Sequence, residues 1–309
     1  MSHTSSNNDL IRLIKELNTE DIVWLLHVIN KDIIEEKLRV DISDHDNELV
    51  EWDIEKLNSL KDLNELKTYL IHNLKDESEA TCEFYINLIN NYKKLLMIRS
   101  RDFSNYKTDK RLLNFATYKI SSEKNDIYRK IKSISNIYLR FLYIIFTRES
   151  YYRSNIRLDR IESDYSKIIS EKSLHFKKYD IPTFYKWAKN NIEKDRVNFR
   201  EFNQVDFIPL QDNDFSVWVN SIFDIMYHEN QHAYLNLKKK LSNAWYQKDY
   251  QKRNKGKENH FFLTDSTKNL LKILALKLNR SEDKVIELLI NKFAIEEGII
   301  IEGIIKYSA

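Results

Sequence analysis

The chain has 309 residues, a formal net charge of +3, and only three Gly, two Pro and one Cys. Gly and Pro stand far below their usual ~7% and ~5%, and none of the first 255 residues is Gly, which argues against sheets joined by tight positive-φ turns and for a mostly α fold. The single Cys82 excludes an internal disulfide framework and a Cys-rich zinc site. It reads as a small buried thiol suited to a reducing cytoplasm.

Charge is unevenly spread. Residues 1–80 hold 19 Asp/Glu against 9 Lys/Arg, a balance of −10, so the remaining residues carry +13. That asymmetry suits an acidic partner for the basic part, and a protein partner for the acidic N-terminal region. Met1 to Asn8 shows no charged-then-apolar signal pattern, and the apolar cluster Tyr138 to Phe146 is interrupted by Arg140. It is also too short to span a bilayer. A cytoplasmic protein with no membrane contact is expected.

Residues 9–39 carry a helical apolar period, with Thr19 and Asp21 placed to start its second half. An acidic loop, Asp41 to Glu48, precedes two further stripes, Leu57 to Leu74 and Phe84 to Leu96. Residues 123–150 and 154–172 read as longer helices with aromatic faces. Pro182 suits the first turn of a helix through Ile192, Val205 to Leu210 an irregular connector, and Asp214 the cap of a helix from Phe215 to about Leu241. Three regions follow: a helical domain over 1–205, a long helix and basic segment over 206–258, and a C-terminal module over 259–309.

That module opens with a β-prone run, His260 to Thr264, and Asp265 or Ser266 caps the next helix. Leu270, Leu271, Ile273, Leu274 and Leu278 give this helix an apolar face. Asn279 suits the left-handed residue that ends a helix. Ser281 caps the next, with Glu282 and Asp283 in its first turn. Val285, Ile286, Leu288, Leu289, Ile290 and Phe293 form the second apolar face. Strand, helix, turn and helix cannot bury their own core, and a second copy would complete them.

Leu274-Ala275, Asn279-Arg280-Ser281, Val285-Ile286 and Leu289-Ile290 resemble the ribbon-helix-helix superfamily of Arc/MetJ/CopG-like DNA-binding proteins, over about 35 residues. The resemblance implies a C-terminal β-α-α module that forms a homodimer, with two strands paired as an antiparallel ribbon in the DNA major groove. It implies groove contacts from His260, Phe262 and Thr264, and a phosphate clamp at the backbone of Ser281 and Glu282. The order of helical region, basic segment and module is similar to that of the MatP family. Only Ile295 to Ala309 remain after the second helix of the module, so bridging of distant DNA sites is not implied.

Lys238, Lys239, Lys240, Lys248, Lys252, Arg253, Lys255 and Lys257 fall within twenty residues, opposed locally by Asp249 and Glu258 and interleaved with Trp245, Tyr246 and Tyr250. Such a segment neutralises phosphates and makes affinity salt-dependent; Lys248, Lys252, Arg253, Lys255 and Lys257 are the expected phosphate contacts. The resulting expectation is a non-enzymatic protein that binds double-stranded DNA, as a transcriptional regulator or a nucleoid-associated chromosome or plasmid organiser, without cofactor or metal. Two readings compete. One is an antitoxin or partition adaptor whose DNA binding is autoregulatory. The other is a zinc metallopeptidase: His228-Glu229-Asn230-Gln231-His232 matches H-E-x-x-H, which on one helix sets both imidazoles on a single face with Glu229 as general base.

Overall fold

In the computed structural model, the described residues are 5–38, 46–95, 101–121, 126–148, 151–195, 205, 208–254, 263–297, 300–301 and 304–305, with side chains for all of these except 37–38, 95, 151–154, 253–254, 300–301 and 304–305. The described chain is mostly α, as its composition predicts. In order it runs through α1 (Ser5–Glu16), α2 (Ile22–Leu38), α3 (Asp46–Ser59), α4 (Leu63–Leu74), α5 (Glu79–Leu95), α6 (Ser104–Thr108), α7 (Lys110–Ile120) and α8 (Asp126–Ile131). It continues through α9 (Ile137–Thr147), α10 (Tyr151–Glu171), α11 (Pro182–Lys194), α12 (Asp212–Glu229), α13 (Gln231–Asn254), α14 (Asp265–Leu278) and α15 (Glu282–Glu296).

Short polar side chains decide where these helices break. Asp62 accepts hydrogen bonds from the amides of Asn64 and Glu65 and so separates α3 from α4 within the expected Leu57–Leu74 stripe. Asn136 does the same for Tyr138 and Leu139, dividing 123–150 into α8 and α9. Asp109 caps α7, a helix that the apolar period alone does not announce. Asp214 occupies the third position of α12, where it accepts from the Gln211 and Leu210 amides, and Gln211 rather than Asp214 is the cap. Each cap satisfies amides that a helix start leaves without partners. Pro182 stands in the first turn of α11, as expected.

The chain divides into two compact units, residues 1–245 and 246–309. In the first, α2 packs on α3, α4 and α9, while α7 packs on α6, α9, α10 and α12. One continuous apolar core runs from Leu10 to Leu241. Its centre is marked by helices enclosed on all sides: every residue of α9 from Leu139 to Ile145 is buried, as is every residue of α12 from Trp218 to Met226. Cys82 is wholly buried there as a free thiol.

In the second unit, α14 and α15 pack as a helical hairpin. Asn279 adopts the left-handed conformation (φ 49°, ψ 49°), and is the single non-Gly residue with positive φ among those described. Its amide bonds to the Leu276 carbonyl at 3.2 Å, and that of Arg280 to Ala275 at 3.0 Å, the paired bonds of a Schellman termination. Ser281 takes the cap position of α15 without a side-chain capping bond.

The ribbon-helix-helix reading does not hold. No described residue ahead of α14 lies in a strand: Leu263 and Thr264 are irregular. Thr264 is the N-cap of α14, its hydroxyl accepting from the Thr267 amide at 3.3 Å, a role expected of Asp265 or Ser266. His260 and Phe262 lie outside the described residues. The strand pairing that is present follows the hairpin instead of preceding it. Among the described residues it is confined to Ile300–Ile301 and Ile304–Ile305, which pair with each other. Physically, a five-residue β-prone run without a partner gains little, whereas a threonine at a helix start gains a capping bond. The likeness to the MatP family, which rested on that module, falls with it. No described helix is long and apolar enough to cross a membrane.

Candidate functional site

The expected basic segment is split between the two units. Lys238 to Lys240 belong to the first. There Lys238 donates to the Tyr234 hydroxyl at 3.0 Å, its pKa lowered by burial, and Lys240 pairs with Asp195 at 2.9 Å. Lys248 and Lys252 belong to the second unit, exposed on the last turns of α13. Four residues apart, they share one face of the helix. Tyr246 and Tyr250, 62% and 47% exposed, lie on the opposite face with ring centroids 6.5 Å apart and planes at 24°. Arg253 continues the helix; Lys255 and Lys257 lie outside the described residues. Thr264 is spent on its cap. Ser281 and Glu282 are exposed at the start of α15, bordering an open depression of about 520 Å³ with Lys272 and Arg280.

Within the hairpin itself only Leu271, Ala275 and Val285 are buried. Leu270, Ile273 and Leu276 on α14 are 59%, 60% and 83% exposed; Leu289, Ile290 and Phe293 on α15 are 49%, 56% and 61% exposed. The two-faced apolar pattern of the sequence is therefore present, and large apolar side chains on both helices stay exposed among the described residues.

The H-E-x-x-H stretch does not form one helical face. Asn230 leaves helical geometry (φ −152°, ψ 88°) and ends α12. Its side-chain oxygen then accepts from the Ala233 amide at 2.9 Å, starting α13. His228 and His232 so lie on different helices. His228 sits between Asp164 (3.3 Å) and Glu229 (3.1 Å). The Glu229 carboxyl, which burial alone would raise, is held below its usual range by Lys119 at 2.9 Å and by His228. Among the described residues no group of three or more His, Cys, Asp or Glu is arranged to hold a metal.

Two buried carboxylates organise polar clusters that sequence reasoning missed. Asp224, wholly inaccessible, accepts from Arg111 Nε at 2.9 Å and Nη2 at 2.6 Å, and from His175 Nε2 at 2.8 Å. His175 Nδ1 lies 3.2 Å from the Tyr234 hydroxyl. An ionised Asp224 requires the proton on Nε2, so Tyr234 donates to Nδ1 while Lys238 donates to Tyr234. Burial holds the His175 pKa down, against the opposing pull of Asp224. In the other cluster Asp53 meets His27 Nδ1 and Asn30 Nδ2 at 2.6 Å and the Tyr143 hydroxyl at 2.7 Å. The available signal was polar Asn220, Ser221 and Asp224 embedded in an otherwise apolar helix. Buried polar groups of this kind are normally bonded to one another. Each cluster joins residues of different helices, which suits holding them together.

No protein family, no curated protein and no solved structure matches the chain.

Proposed function

We propose that the protein binds double-stranded DNA as a homodimer, without catalysis, and acts as a transcriptional regulator or an organiser of the chromosome or a plasmid in association with the nucleoid. The observation that carries this reading is the end of α13, where Lys248 and Lys252 stand exposed on one helical face and Arg253, Lys255 and Lys257 follow in sequence. An α-helix fits the major groove of B-DNA, and a cation row along it reaches phosphates. The +13 balance of residues 81–309 adds a favourable long-range field. The reading does not use a β-ribbon.

The test is fluorescence anisotropy of a labelled mixed-sequence duplex with the full chain over a salt series. Binding should weaken linearly in log–log form, and Lys248→Gln with Lys252→Gln should flatten the slope by about 0.9 for each phosphate left without its cation. Salt-independent binding, or none at low salt, overturns the proposal.

A further inference from the structure

The hairpin of α14 and α15 is an incomplete core, and its surroundings indicate what completes it. Three buried side chains, with Leu263, Leu274 and Ile286 packed partly buried against them, make a small core for two helices of 14 and 15 residues. Nine large apolar side chains of the hairpin stay between 41% and 83% exposed. Roughly 100 Å² of each therefore remains in water, on the order of 900 Å² per copy, which matches the about 800 Å² per partner of a stable specific interface.

Charge selects the occupant and its arrangement. On α14, Asp265 stands against Lys268, Lys272 and Lys277, a balance of +2. On α15, Glu282, Asp283, Glu287 and Glu296 stand against Lys284 and Lys292, a balance of −2. A two-fold axis that sets α14 of one copy on α15 of the other brings opposite charges together twice. Pairing each helix with its own counterpart would bring like charges together twice.

Resting on the homodimer reading above, we infer that the hairpin is the dimer interface. Its core is completed by a second copy whose α15 covers the apolar face of α14, and the reciprocal contact forms across the two-fold axis. The four helices enclose Ile273, Leu289, Phe293 and their neighbours, and the charged residues form a rim that fixes the pairing.

Sedimentation equilibrium of the full chain tests this, with far-UV circular dichroism as the control for folding. The wild type should be a dimer. Ile273→Glu with Phe293→Glu should give a monomer. Lys272→Glu with Lys277→Glu turns α14 acidic and should raise the dimer Kd about tenfold, as several rim pairs change from attraction to repulsion. Adding Glu287→Lys and Glu296→Lys in the same chain should bring it back. All four charge changes are at exposed positions, so these variants should fold even where the apolar ones do not. A wild-type monomer overturns the homodimer reading itself. A dimer unaffected by the Ile273 and Phe293 changes overturns the hairpin interface alone. Dissociation by those changes with no response to reversal of α14 overturns the crossed pairing, since helices paired with their own counterparts are no worse off when one pair changes sign.

Discussion

His175 and Asp224 meet at 2.8 Å with neither side chain reaching solvent. The imidazole therefore sits where its charged form is disfavoured, although a carboxylate lies beside it. Arg111 already supplies the positive charge that Asp224 requires, so His175 is held neutral and acts as a hydrogen-bond relay between α12 and Tyr234 on α13.

This gives a pH dependence with a definite sign. Burial lowers the folded His175 pKa from its ordinary 6.5, so between the two values the unfolded chain binds the proton that the folded chain refuses. The stability tied to this residue is complete above about pH 6.5 and is lost as pH falls through the folded value. In urea unfolding, the midpoint of the wild type should drop more steeply below that pH than the midpoint of His175→Gln. Equal slopes would mean that His175 titrates alike in both states.

Removing one member of the Arg111–Asp224 pair leaves a buried charge without its main partner. Arg111→Ala should cost about 3–5 kcal/mol in urea unfolding. Arg111→Met with Asp224→Leu should cost less than the two single changes added together. A loss below about 1 kcal/mol for Arg111→Ala would indicate that water replaces the guanidinium.

The left-handed backbone at Asn279 makes its substitutions diagnostic. Asn279→Gly should leave the hairpin intact, whereas Asn279→Val should destabilise it by about 1–2 kcal/mol, because a side chain branched at Cβ crowds the carbonyl in this conformation. Hydrogen exchange of the α14 and α15 amides reads the difference, and equal protection in the two variants would contradict the assignment.

The break at Asn230 predicts how the protein handles zinc. With His228 and His232 on separate helices, competition titration against a chromophoric chelator should give no tight site, and His232→Ala should leave the titration unchanged. A stoichiometric site lost in that variant would mean that the helices fuse when metal is present.

The legible parts of this sequence were those with a local cause. Scarcity of Gly and Pro foretold the helices, Pro182 a helix start, and Asn279 the left-handed residue joining α14 to α15. Helix breaks were harder to read. At Asp62, Asn136 and Asn230 the apolar stripe resumes after a turn nearly in phase, so periodicity suggests one helix where a single capping side chain makes two. The Asp224 cluster brings together residues up to 113 positions apart, a relationship no window along the chain contains. The end of the β-prone run, Leu263 and Thr264, misled because β-branched residues have strand value only against a neighbouring strand. Thr264 instead satisfied the nearest amide in need.

Cys82 has a practical consequence. Being the sole thiol of the chain and sealed in the core of the first unit, with burial also pushing its ionisation upward, it should ignore a maleimide or disulfide reagent until that core opens. Its labelling rate is thus a built-in clock for unfolding of residues 1–245. A cysteine introduced on the hairpin would label first and alone, so the two units can be timed separately in one sample.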